Sequence, residues 1–173
     1  MSRFVVKSTM ALVMVLALSG CAGYRVGDVS GRNLQGVRSV YVPTAKNTSL
    51  EPEIQMIVTN AIIRRFNNDG TLTVNQTENA DSQLDVTITN VTETPLRSSN
   101  TDIYVTAEYQ MTIYATATYT NRRIGKKIFE NIQVIGITSF FSQANIQEGE
   151  RQAIPLAAQD LANNAVKLVT EGW

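Results

Sequence analysis

The chain carries one cysteine, Cys21, and no histidine. A thiolate can be acylated, can bind metal, or can attack a carbonyl. The last role needs a base, and the absence of histidine removes the commonest one. It also removes the commonest metal ligand and every Ser-His or Cys-His arrangement. Paired carboxylates could act without histidine. Here, however, the acids are scattered over apparent helix faces and turns, and no glycine-rich phosphate loop accompanies them. Neither an enzyme nor a metal or cofactor protein is expected. The other chemically suggestive set is a basic turn: Arg122, Arg123, Lys126 and Lys127. Arginine pairs phosphate oxygens in a bidentate fork, so four cations on a hairpin tip could hold phosphates. A solvated hairpin end would carry the same charges with no ligand at all.

The position of Cys21 narrows its chemistry. Arg3 and Lys7 open the chain and an apolar run follows from Met10 to Leu18. The run is too short to span a bilayer and fits the core of a secretory signal. It ends in Leu18-Ser19-Gly20-Cys21. Small residues followed at once by cysteine resemble the lipobox of bacterial lipoprotein precursors; an ordinary signal with a chance cysteine is the alternative. The lipobox reading makes residues 1–20 a signal peptide and Cys21 a lipidation site bearing diacylglycerol and an N-acyl chain. Each buried methylene contributes about 0.8 kcal/mol and one chain holds only marginally, so several chains give lasting attachment. Ala22 occupies the position where aspartate would resemble an inner-membrane retention signal. The expected location is therefore the outer membrane, on its periplasmic face.

The elements that would present these residues follow from pattern. Residues 21–36 form the lipidated N-terminus and a tether, with Gly23, Gly27, Gly31 and Gly36. Residues 37–173 read as a single α/β sandwich domain, long enough to bury about 70% of its unfolded surface. Fifteen basic residues balance fifteen acidic ones, and loss of Arg3 and Lys7 tips the balance to acid. That excludes the strong basic excess of a nucleic-acid binder. Val37–Val42 predicts a strand stopped by Pro43, and 44–52 a polar loop. Ile54, Ile57, Val58, Ala61, Ile62 and Phe66 recur at helical spacing over 51–67, with Pro52, Glu51 and Glu53 suited to the first turn and Arg64 and Arg65 to the far end.

Leu72 and Val74 alternate in a short strand, and Leu84, Val86 and Ile88 in another. A loop is expected from Pro95 to Asp102. Beyond it Val105, Ala107, Tyr109, Met111, Ile113, Ala115 and Ala117 face one way, and a threonine-rich set faces the other. A turn at Asn121–Gly125 leads to a strand near 128–137, then a loop over 139–146. A helix over 147–170 follows, with Pro155 either in its first turn or kinking it. The pattern predicts an α+β fold, with two helices packed on one face of a mixed four- or five-stranded sheet and a polar face left opposite.

Taken in order, these residues resemble the LptE family. The features that match are Cys21 with Gly23-Tyr24-Arg25, the strand Val40-Tyr41-Val42-Pro43, Asn47, Pro52 and the helix after it. They continue with Ala80-Asp81 leading into Leu84–Ile88, Glu108-Tyr109, Ala153-Ile154, Asp160-Leu161-Ala162 and the Gly172-Trp173 ending. The resemblance implies a non-enzymatic outer-membrane lipoprotein. Such a protein forms a 1:1 complex with an LptD-like β-barrel, plugs it, and assists lipopolysaccharide transport and insertion into the outer leaflet. It also suggests lipid A phosphates as the ligand of Arg122, Arg123, Lys126 and Lys127. Tyr24 and Arg25, beside the anchor, are candidates for contacting a partner or for stabilising the tether. Lipoproteins that regulate peptidoglycan synthases, and curli-like secretion components, share the lipobox and a similar strand–Pro–Asn–helix segment, and so form the alternative.

Overall fold

Alternation in the central strands separates two surfaces. In the computed structural model, which describes residues 34, 36–77, 79–97, 107–142 and 146–172, the predicted meander forms from β4 (Ser82–Arg97), β5 (Ala107–Asn121) and β6 (Lys126–Ser142). Three shorter strands join it: β1 (Ser39–Tyr41), β2 (Lys46–Asn47) and β3 (Thr73–Asn75). The order is β3-β1-β4-β5-β6, with β2 added to β4. β1 runs parallel to β3 and β4, β2 is parallel to β4, and the meander is antiparallel. The α+β class and the mixed sheet are as expected, but the described residues form six strands rather than four or five. The added one, β2, has no alternation to betray it. It exists because Lys46 and Asn47 pair with Thr87 and Ile88, and because Thr48 donates both its N–H (2.9 Å) and its hydroxyl (2.8 Å) to the Ile88 carbonyl.

Other boundaries move for local reasons. β4 continues through Pro95, where a loop was expected, and β6 reaches Ser142 through the expected loop of 139–146. Beyond Ile88, β4 pairs among the described residues only with β5, and a strand bonded on one side tolerates proline. The first helix, α1 (Ile54–Asp69), starts three residues later than the pattern suggests. Asn47 holds the preceding segment in a turn: its Nδ2 donates to the Glu51 carbonyl (2.7 Å) while its Oδ1 accepts from the Ser49 N–H (2.9 Å). Glu51 and Pro52 thus lie outside the helix, and Glu53 is left-handed at φ 60°. No acid occupies the first turn and no base the last, because α1 extends past Arg64 and Arg65 to Asp69. Gly70, at φ 73°, closes it by donating its N–H to the Phe66 carbonyl (3.0 Å).

The second helix, α2 (Ile146–Glu171), carries Pro155 well inside it rather than in its first turn. Proline cannot donate to the Arg151 carbonyl, so one intrahelical bond is missing there. Both helices cover one sheet face. Ile54, Val58, Ile62 and Phe66 of α1 and Ala157, Leu161 and Val166 of α2 share one core with Leu84, Ile88, Met111, Ile113 and Ala115. α2 approaches β6 so closely that a Cβ at Gly136 would lie 2.2 Å from the Ala157 carbonyl oxygen and 2.5 Å from Leu161 Cβ. Only glycine fits there. At the outer edge of β6, Asp160 accepts the Ile137 N–H (2.9 Å), and Asn164, one turn on, donates to the Ile135 carbonyl (2.8 Å).

Candidate functional site

The β5–β6 turn places all four sequence-selected cations on one tip, but it does not leave them as one cluster. Gly125, at φ 63°, permits the tight reversal. Arg122 folds inward: its N–H donates to the Asp81 carbonyl (2.8 Å), its guanidinium donates to Gln83 Oε1, and it stacks 5.7 Å over the Tyr41 ring. Arg123 donates to the Gly36 carbonyl (2.7 Å) and lies 3.8 Å from Asp81. Lys127 pairs with Glu130, and Lys126 is exposed. Arg122 and Arg123 therefore bind the turn to the start of the sheet. Both lysines are exposed at the tip.

Asp81 organises this end, and residue pattern did not reveal it as a site. Its carboxylate accepts from the Arg38 N–H (2.9 Å), the Ser39 N–H (3.2 Å) and the Ser39 hydroxyl (3.2 Å). Its own N–H donates to Ser39 Oγ (3.0 Å). Hydrogen bonding from the Arg38 N–H, helped by Ser39 and Arg123, holds its pKa below the ordinary value against the opposing effect of burial. The available signal was an acid just ahead of a strand, a common arrangement whose partners lie some forty residues away in the chain.

The second feature is the sheet face away from the helices. β5 presents Gln110, Thr112, Tyr114, Thr116, Thr118 and Thr120 there, and β4 adds Gln83, Asp85 and Thr87 opposite them. On β6 the same face carries Ile135, Ile137 and Phe141, of which Ile137 is 47% and Phe141 60% exposed. The expected polar face is thus threonine-rich at its centre with an apolar strip at its β6 edge. Near the far end of β4, burial and the neighbouring Glu150 raise the pKa of Glu93. Cys21, Tyr24 and Arg25 lie outside the described residues. Among the described residues no group of side chains is suited to hold a metal, and no helix is long and apolar enough to cross a membrane.

Two helices on one face of a mixed sheet, with no helix on the meander's other face, define a small α+β fold. It is similar to that of a minor lipoprotein from Acinetobacter baumannii (12% identity, TM-score 0.52, covering 78% of this chain and 94% of that one). A lipoprotein from Caulobacter crescentus is also similar (11% identity, TM-score 0.45, covering 73% and 88%). No curated protein matches the sequence. The lipopolysaccharide-assembly family LptE matches residues 37–167, and the chain belongs to that family. Its role is accordingly that of an envelope lipoprotein of lipopolysaccharide assembly.

Proposed function

We propose that this chain is lipidated on Cys21 and held at the periplasmic face of the outer membrane. There it forms a 1:1 complex with an LptD-like β-barrel, plugs it, and assists passage of lipopolysaccharide to the outer leaflet. It does so without catalysis or a cofactor. The observation that carries this reading is the open face of the meander. Barrel lumens are lined by polar side chains. A threonine-rich face bordered by the exposed Ile137 and Phe141 offers hydrogen bonds in its middle to such a polar wall and an apolar anchor along its β6 edge.

Copurification tests it. The tagged full chain, extracted in detergent, is expected to bring down a stoichiometric barrel. Ile137→Glu with Phe141→Glu is expected to lose that partner while the circular dichroism melt is unchanged. Retention of the barrel by the folded double variant, or recovery of a peptidoglycan synthase instead, defeats the reading. Lipopolysaccharide contact is assigned to Lys126 and Lys127, which are exposed and of which Lys127 has only the exposed partner Glu130, whereas Arg122 and Arg123 are engaged with the start of the sheet. Neutralising the two lysines is expected to weaken lipopolysaccharide binding, and unchanged binding removes the turn from the proposal.

A further inference from the structure

The helical layer holds a polar cleft that none of the roles above uses. Ala61, Arg64, Arg65 and Asn68 line it from α1, and Gln159 and Asn163, one turn apart, line it from α2. Its volume is about 280 Å3, below that of clefts that take drug-sized ligands and suited to something the size of one sugar. Ala61 is buried at its base. No carboxylate lines it. Arg65 lies 3.8 Å from Asp69 one turn along the helix, a loose surface pair of little energetic weight. Among the described residues, Arg64, Asn68, Gln159 and Asn163 have no hydrogen bond or ion pair through their side chains. Arg64 and Arg65 both line the cleft and no carboxylate does, so an anion seated there would meet two positive charges. Guanidinium forks match tetrahedral oxyanions. Carboxamides both donate and accept, which matches hydroxyl groups.

We propose that this cleft binds the phosphate monoester of a small sugar or polyol, with Arg64 and Arg65 on the phosphate and Asn68, Gln159 and Asn163 on the hydroxyls. The site is separate from the β5–β6 turn and does not depend on a barrel partner.

Calorimetric titration of the full chain in detergent tests it, at low ionic strength so that charge is little screened. The probes are glucose 1-phosphate, inorganic phosphate and glucose. Glucose 1-phosphate is expected to bind saturably and glucose not to bind. Arg64→Gln with Arg65→Gln is expected to weaken binding by about tenfold or more, and Lys126→Gln with Lys127→Gln to leave it unchanged. Asn163→Asp, which puts a carboxylate in the cleft, is expected to weaken it similarly and serves should the arginine variant fold poorly. Inorganic phosphate binding as tightly as the ester assigns recognition to the arginines alone and overturns the role of the carboxamides. The proposal as a whole falls if no saturable binding is seen, if glucose competes equally, or if folded cleft variants bind like the wild type.

Discussion

The two faces of the meander are made by the same strands and the same alternation, yet they differ in what they demand. On the covered face Met111, Ile113, Ala115 and Ala117 are all within 1% of complete burial, and their shapes are fixed by the helices above them. On the other face the half-buried Tyr114, Thr116 and Thr118 alternate with them in register with no helix to satisfy. Close packing makes the first face intolerant of volume change. The second face is free to be selected for a partner. Alternation alone reads as fold; the asymmetry of constraint is what reads as function.

That contrast can be broken most directly at Gly136. Gly136→Val drives a side chain into the α2 backbone and is expected to cost about 3 kcal/mol, at the upper end for overpacking, measured by urea denaturation. A neutral result would mean that α2 slides freely on β6. Asp81→Asn, at the end where both faces meet, is expected to cost about 2 kcal/mol through weakened charge-assisted hydrogen bonds. Because the folded pKa of Asp81 is lowered, its stabilisation is present in full above the ordinary carboxylate value and lost as pH falls through the lower folded one. The gap between wild type and variant should therefore be constant near neutrality and close in acid.

Asp160→Ala with Asn164→Ala removes the edge contacts of α2 and is expected to cost about 1 kcal/mol, with increased self-association seen by light scattering. Glu93→Gln should have the smallest effect. Its raised pKa means that the charged form is penalised above the folded value, and the penalty fades as pH falls through it. The variant is expected to melt slightly higher at neutral pH, by about a few tenths of a kcal/mol given solvent screening, with no gain in mild acid. A loss at neutral pH would show that Glu93 makes a favourable contact instead.

Most of the fold was legible because it is periodic. The α1 stripe from Ile54 to Phe66 and the alternation from Met111 to Ala117 both appear in the structure as drawn from spacing. What was hidden depends on contacts distant in the chain. β2 is two residues recruited by Ile88. The delayed start of α1 comes from the side chain of Asn47, which competes with the backbone for hydrogen bonds. The basic turn was legible as charge but not as geometry, since Asp81, Gln83, Tyr41 and Gly36 must first be folded beside it. The cleft could not be read either, because Arg64 and Asn163 belong to helices nearly a hundred residues apart.

The hold of Asp160 and Asn164 on β6 has a consequence beyond their own helix. A seventeen-residue strand at the rim of a sheet is a template onto which further strands can add, copy after copy. With the Ile137 N–H and the Ile135 carbonyl already bonded, that template is capped in its middle, much as a terminator caps a growing polymer. Among the described residues the stretch of β4 beyond Ile88 also pairs on one side alone, and there Pro95, which has no N–H to offer, interrupts the edge.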